Sequence, residues 1–139
     1  MSRNKLPVSV GGLVKGMVGL AISLCMLSGL AVAATAPARQ VKNEIMHLLE
    51  FVQRSPCEFN RNGTWSSGHD ARLHLEMKYS HLAKRGLISK AEDFIANAAT
   101  QSSISGHPYQ IRCQDGKNIS SSSWLTEELQ RYRKFKKRK

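Results

Sequence analysis

The sequence predicts a small single α+β domain after an N-terminal signal peptide, with about four helices and a minimal two-stranded antiparallel sheet. Three observations support this fold class. The chain has 139 residues, a length that suits one domain. Its 41% hydrophobic and 22% charged residues exclude a disordered or collagen-like chain. Segments with apolar residues at helical spacing are interrupted by two short segments that alternate as strands do.

Residues 1–33 are predicted to be a secretory signal peptide. Three basic residues precede a charge-free run over residues 16–38, and small residues follow, which is the layout of such a signal. Two A-x-A sequences suit cleavage after Ala33 or Ala36. We therefore expect a periplasmic or secreted protein. The alternative is an uncleaved signal that anchors the chain in the inner membrane, because about 20 apolar residues span a bilayer.

The first half of the mature chain is predicted as helix, strand and helix. Residues 40–53 carry apolar side chains at helical spacing. Residues 57–61 alternate as a strand does and end in the turn dipeptide Asn62-Gly63. Residues 69–85 again place their apolar side chains on one helical face, so we expect a second helix there.

The second half is predicted to contain two helices around a strand. Ser89 and Glu92 match a capping box, so a third helix is expected to begin at Lys90. A loop rich in Ser and Gly leads to residues 109–113, which alternate as a strand does. The serines of residues 120–123 are expected to cap the last helix, whose apolar residues recur on one side: Trp124, Leu125, Leu129 and Tyr132.

Cleavage of the signal would leave two cysteines, Cys57 and Cys113, one on each predicted strand. An even number of cysteines in an exported chain favours a disulfide, which would contribute about 4 kcal/mol for a loop of this length. A two-ligand metal site and a catalytic thiol are the alternatives. Neither has supporting partners, because the sequence lacks a C-x-x-C motif and two cysteines are half of a zinc shell.

The net charge of +11 is unevenly distributed. Residues 34–130, the predicted domain, contain 11 basic and 10 acidic residues, whereas the C-terminal tail, residues 131–139, contains no acidic residue. We predict that this tail binds anionic lipid, lipopolysaccharide or an envelope polymer. A solvated terminus without a partner is the alternative. No nucleic acid is expected as a partner of an exported chain. The basic residues of the tail are Arg131, Arg133, Lys134, Lys136, Lys137, Arg138 and Lys139.

Four segments resemble the YfeK-like family of small exported bacterial proteins of unknown function. They are residues 59–63 (F-N-R-N-G), 74–78 (H-L-E-M-K), 91–95 (A-E-D-F-I) and 102–109 (S-S-I-S-G-H-P-Y). The resemblance extends over about residues 40–130 and implies a periplasmic location in a Gram-negative cell. The family has no established activity to transfer. The cysteine pair and the basic tail depart from its pattern.

Polar residues of these segments form the candidate ligand-binding site. Arg61 lies beside the Asn-Gly turn, His74 and Lys78 are one helical turn apart, and Ser105 and Tyr109 belong to the loop. Such residues have two interpretations. They pin the loops to the helix through hydrogen bonds, or they converge on an anionic ligand such as a carboxylate or a phosphate.

No catalytic constellation, metal site or cofactor is predicted. The spacing of the histidines on the second predicted helix does not suit chelation, and no G-x-S-x-G motif is present. We therefore expect a binding or structural module rather than an enzyme. The alternative is an inhibitor or accessory factor of a cell-wall enzyme such as lysozyme, acting through the S-G-x-x-Y sequence of residues 105–109. Charge opposes it, because common lysozymes are also cationic.

Overall fold

The structure is a computed structural model that describes residues 11–12 and 36–138. The predicted signal peptide lies outside the described residues, apart from Gly11 and Gly12, and so does Lys139. Across the described residues, no helix combines the length and the apolar character that a membrane crossing requires.

The described part of the chain contains four α-helices, a π-helical segment and one four-stranded antiparallel sheet. In chain order the elements are α1 (Ala36–Arg54), β1 (Glu58–Arg61), β2 (Thr64–Ser66), α2 (Gly68–Lys84), α3 (Ala91–Phe94), the π-helical segment (Ile95–Ala99), β3 (Gln110–Arg112), β4 (Asn118–Ser120) and α4 (Ser121–Lys137). The predicted α+β class is confirmed.

The sheet has the strand order β2-β1-β3-β4, so the two predicted strands are its central pair. Phe59 of β1 lies opposite Ile111 of β3, and both side chains are buried, as the shared alternation predicts. The prediction of only two strands is wrong. The additional strands β2 and β4 have three residues each, and all side chains of β4 are exposed, so neither strand leaves an apolar alternation in the sequence.

The core lies where the helices meet each other and one face of the sheet. Helix α1 packs against α2, α3 and α4, and four aliphatic side chains of its apolar face are at most 1% exposed: Ile45, Leu48, Leu49 and Val52. Burying one such aliphatic side chain contributes about 2 kcal/mol, so this face dominates the stability of the fold. The largest fully buried side chains are Phe94, Ile45, Leu48, Leu49, Ile111, Leu125, Leu129 and Val52.

A disulfide joins Cys57, just before β1, to Cys113, just after β3. Their Cα atoms are 4.2 Å apart. The predicted pairing is confirmed, and it links the two central strands directly beyond their Glu58–Arg112 pair.

The cap of α3 differs from the prediction. Helix α3 begins at Ala91, and the carboxylate of Asp93 accepts hydrogen bonds from Ser89 and from the Lys90 backbone N–H. The prediction assigned this role to Glu92. It was wrong by one residue, because Lys90 rather than Ser89 is the N-cap, and the third helical position is then Asp93.

Candidate functional site

A chain of hydrogen bonds connects β1, α2 and the residue before β3. A guanidinium nitrogen of Arg61, at the end of β1, lies 2.9 Å from Nδ1 of His74 on α2. Nε2 of the same ring lies 3.2 Å from the hydroxyl of Tyr109, whose side chain is buried. Three residues that are distant in sequence therefore meet because the hairpin turn and the loop before β3 both lie beside α2.

The direction of these hydrogen bonds follows from their chemistry. A guanidinium only donates, so Nδ1 of His74 accepts, and the ring is neutral with its proton on Nε2. Burial, followed by the charges of Arg61 and Lys78, lowers the pKa of His74, which agrees with a neutral ring. Nε2 then donates to the oxygen of Tyr109, and the Tyr109 hydroxyl can donate its own proton to a ligand.

Lys78 lies one turn further along α2, at the side of the same tyrosine. Its Nζ donates to the backbone carbonyl of Gln101 at 3.0 Å and lies 5.1 Å from the centre of the Tyr109 ring, within cation–π range. Burial, and then the charge of Arg61, lowers the pKa of Lys78, while burial raises the pKa of Tyr109. We call Arg61, His74, Lys78 and Tyr109 the cationic site.

The charges of the cationic site are not neutralised by its neighbours. Within residues 36–138, neither Arg61 nor Lys78 forms an ion pair with a carboxylate. The charged groups that lower the pKa values of His74 and Lys78 are cations only. Arg61 is exposed and Lys78 is half-buried, so both cations are within reach of an anion that comes from outside.

Ser105 has a different role from the other predicted site residues. Its hydroxyl donates to the side-chain oxygen of Asn62 at 2.6 Å, and the amide of Asn62 donates to the buried Ser102. Asn62 is in the hairpin turn with a φ of 53°. Ser105 therefore pins the loop to the turn, as the structural interpretation of the motif residues expects.

A cavity of about 100 Å³ opens beside the hydrogen-bonded chain. Arg61, His74 and Tyr109 line it, whereas Lys78 and Ser105 do not.

Sequence reasoning missed Asp70 and Ser121, which also line it. Asp70 had a signal, because it precedes His74 by four residues and such residues share a helix face. Ser121 had none, because only the position of α4 brings it there. The apolar wall consists of Phe59, Ala71 and Leu75.

The predicted tail is helical as far as Lys137, as the last turns of α4. Arg133 has a structural role, because its guanidinium donates to the buried Glu44 of α1 at 2.7 Å and to Glu92 of α3 at 2.6 Å. These bonds lower the pKa values of both carboxyl groups. Arg131 pairs with Glu128 at 2.6 Å. The other basic residues of the tail that the structure describes are exposed: Lys134, Lys136, Lys137 and Arg138.

A basic groove lies between the first turns of α1 and the end of α4. Its volume is about 710 Å³, and it is lined by Arg39, Lys136 and Lys137 together with polar residues. Its carboxylate, Glu44, is neutralised by Arg133. We call this the α1–α4 groove. The groove brings Arg39 near the start of the domain close to Lys136 and Lys137 at its end. Sequence reasoning did not predict that these residues lie close together.

Among the described residues, no three His, Cys, Asp or Glu side chains lie close enough together to hold a metal ion. His47, for example, lies 2.6 Å from Glu128 and stacks on Tyr132. This histidine serves the packing of α1 against α4.

Comparison with known proteins gives a family but no activity. No curated protein matches the chain, and neither does any solved structure. The sequence matches a family of unknown function, DUF5329, over residues 39–133, which is more than half of the chain and includes both the cationic site and most of α4. The chain therefore belongs to the DUF5329 family of unknown function.

Proposed function

We propose that this protein is an exported, non-enzymatic binding domain that captures a small anionic group, a carboxylate or a phosphate, at the cationic site. The observation that carries the proposal is the hydrogen-bonded chain from Arg61 through a neutral His74 to Tyr109, with no carboxylate paired to Arg61 or Lys78 in the described chain. An anion would accept from the outer N–H groups of Arg61 and from the Tyr109 hydroxyl. Charge-assisted hydrogen bonds of this kind are about twice as strong as neutral ones.

Export is part of the proposal, and it is supported by the sequence. The signal-like segment of residues 1–33 and a disulfide are both typical of proteins outside the cytoplasm. The resemblance to the YfeK-like family points to the periplasm. Its four segments all lie within the residues that match the DUF5329 family.

Binding suits the site better than catalysis does. Both ring nitrogens of His74 are engaged in hydrogen bonds, so the ring has no free nitrogen to take a proton from a substrate. The raised pKa of Tyr109 makes its hydroxyl a poor nucleophile and a good neutral donor.

The test is a titration of the purified protein with inorganic phosphate and with acetate, followed by NMR shifts of the Tyr109 ring. Arg61→Gln should weaken binding at least tenfold, since a hydrogen bond to a charged group contributes about 1.5–3 kcal/mol. Arg54→Gln is the matched control, because Arg54 is 81% exposed on α1 and the same charge is lost. Equal affinity in Arg61→Gln and the control, or no shift at Tyr109, would reject the proposal.

A second candidate function is attachment to anionic lipid, lipopolysaccharide or another envelope polymer through the end of α4. The α1–α4 groove favours it, because Arg39 adds to the exposed Lys136 and Lys137. Phe135 is 57% exposed beside these cations, and an apolar side chain next to basic residues is the pattern of an interfacial helix. Arg131 and Arg133 are left out of this surface, since carboxylates of the fold already bind them.

Vesicle binding tests this second function. The double variant Lys136→Gln, Lys137→Gln should bind phosphatidylglycerol vesicles about 2 kcal/mol more weakly, and salt should weaken the unaltered protein in the same way. The control is Lys84→Gln, Arg85→Gln, which removes two exposed charges at the end of α2. An equal loss in the control, or equal binding to uncharged phosphatidylcholine, would contradict a role for this surface.

Inhibition of a cell-wall enzyme such as lysozyme is less well supported. It requires the loop that contains residues 105–109 to enter a cleft. Tyr109 is only 8% exposed, and the hydroxyl of the exposed Ser105 is already bonded to Asn62. Ile104, which is 98% exposed, is the loop side chain that projects. An unchanged lysozyme turbidity assay in the presence of the protein would remove this alternative.

A further inference from the structure

We infer that the ligand of the cavity beside the cationic site is a small free amino acid with a short apolar side chain, bound as a zwitterion. The inference rests on the proposed capture of a carboxylate by Arg61 and Tyr109. It adds a second charge to the ligand, an ammonium group, and assigns its partner as Asp70. Three features of the cavity support it: an acid, the absence of an ion pair between that acid and Arg61 in the described chain, and an apolar wall.

Asp70 brings a carboxylate to the wall of the cavity. Its backbone N–H donates to the hydroxyl of Ser67, the N-cap of α2, and its Oδ2 accepts from that hydroxyl at 2.8 Å. The other oxygen, Oδ1, accepts no hydrogen bond from the described residues. Capping therefore uses half of this carboxylate and leaves the other half for a ligand.

The opposite charges on the cavity wall do not neutralise each other. Asp70 and Arg61 both line the cavity, yet Asp70 forms no ion pair within the described chain. Asp70 precedes His74, the partner of Arg61, by four residues, which is about 6 Å along the axis of α2. A zwitterion in the cavity can therefore present an ammonium group to Asp70 and a carboxylate to Arg61, which lies beside His74 one turn further along α2.

The other surfaces of the cavity suit the rest of such a ligand. Phe59, Ala71 and Leu75 form an apolar wall against which a methyl-sized side chain can pack. Ser121, whose backbone N–H donates to the carbonyl of Tyr109, also lines the cavity, so its hydroxyl can donate to a carboxylate oxygen there. The cavity volume of about 100 Å³ suits a molecule of the size of alanine.

A ligand series on the unaltered full chain tests the inference directly. The probes are alanine, propionate, which lacks the ammonium group, and ethylamine, which lacks the carboxylate. Calorimetry should give an affinity for alanine at least tenfold higher than for propionate, and ethylamine should bind least. Asp70→Asn should lower the affinity for alanine to that for propionate, while leaving propionate unchanged or slightly tighter.

The matched control is Asp93→Asn, which alters the capping acid of α3 and should keep the preference for alanine. Equal affinities for alanine and propionate, or an unchanged preference in Asp70→Asn, would overturn the inference and leave the proposed anion site standing. If alanine, propionate and phosphate all fail to bind, the proposed function fails as well. The ligand series needs no variant, so its outcome is independent of any effect of Asp70→Asn on folding.

Discussion

The position of His74 between a guanidinium and a phenol sets its response to pH. Burial and the charges of Arg61 and Lys78 lower its pKa in the folded state, whereas the unfolded chain keeps a value of about 6.5. Between these two values the unfolded chain binds more protons than the folded protein. The free energy of unfolding therefore rises with pH across this interval. The contribution of His74 is fully present above the interval and is lost as the pH falls through it.

We predict that His74→Gln reduces the loss of stability between about pH 7 and about pH 5. A glutamine amide can accept from Arg61 and donate to Tyr109, yet it does not titrate. Urea unfolding at several pH values measures the difference between the variant and the unaltered protein. His69→Gln, which changes an exposed histidine at the start of α2, should keep the original pH dependence. Parallel curves for all three proteins would show that His74 does not sense pH.

Arg133 shows that residue type alone does not tell a basic residue that stabilises the fold from one that is available for binding. It lies within a run of basic residues, and nothing in that run distinguishes it from Lys134 or Lys136. In the fold it binds two carboxylates, one of them the 3% exposed Glu44, and so stabilises the contact of α4 with α1 and α3. The partners are 41 and 89 residues away, a separation that no local pattern records.

At the level of elements, the start of α2 depends on a close approach to α1. A Cβ placed on Gly68 would lie 2.3 Å from the backbone carbonyl oxygen of Val52, a contact that forces the two segments apart. We predict that Gly68→Ala destabilises the protein by about 2 kcal/mol, although alanine is the better helix former. Thermal unfolding measures this loss.

The control for this prediction is Gly86→Ala, at the turn after α2. Gly86 has a φ of 69° and open space around it, so alanine there meets backbone strain without a collision and should cost about 1 kcal/mol. A smaller loss for Gly68→Ala than for Gly86→Ala would contradict the close packing of α1 against the start of α2.

The sequence predicts the long elements well and the short ones poorly. Helices of 17 to 19 residues repeat their apolar pattern over several turns, so the sequence predicts α1 and α2 within a few residues of their bounds and also the start of α4. The end of α4 is not predicted, because it lies in the basic tail. Strands β2 and β4 escaped prediction because backbone hydrogen bonds to neighbouring strands, rather than buried side chains, hold them in the sheet. The π-helical turn after α3 likewise has no sequence signal.

At the level of the whole molecule, the sequence predicts which segments contribute residues to the candidate site but not how these residues are arranged in space. The motifs identified Arg61, His74, Lys78, Ser105 and Tyr109. The fold brings Arg61 and Tyr109 to His74 in the middle of α2, with Lys78 one turn away, and it joins Ser105 to the hairpin turn. Only three line the cavity, since the others hold the loop or flank the ring. That separation depends on the path of the loop before β3, which the alternation of a few residues does not determine.

The disulfide links this site to the stability of the entire domain. It joins the ends of β1 and β3, and these strands, only four and three residues long, carry Arg61 and position Tyr109. Sheets of such short strands are marginal without covalent or tertiary support. We predict that the double variant Cys57→Ser, Cys113→Ser loses about 4 kcal/mol of unfolding free energy. Urea unfolding followed by tryptophan fluorescence, to which Trp124 stacked on Phe51 contributes, measures it.

Reduction provides the internal check on this prediction. A reducing agent should lower the urea midpoint of the unaltered protein toward that of the double variant and leave the variant unchanged, because no bond remains to be cut. Since the strands position Arg61 and Tyr109, the reduced protein should also bind phosphate more weakly. A protein whose midpoint is the same in both redox states would show that the helices alone stabilise the fold, and that the disulfide contributes little to the site.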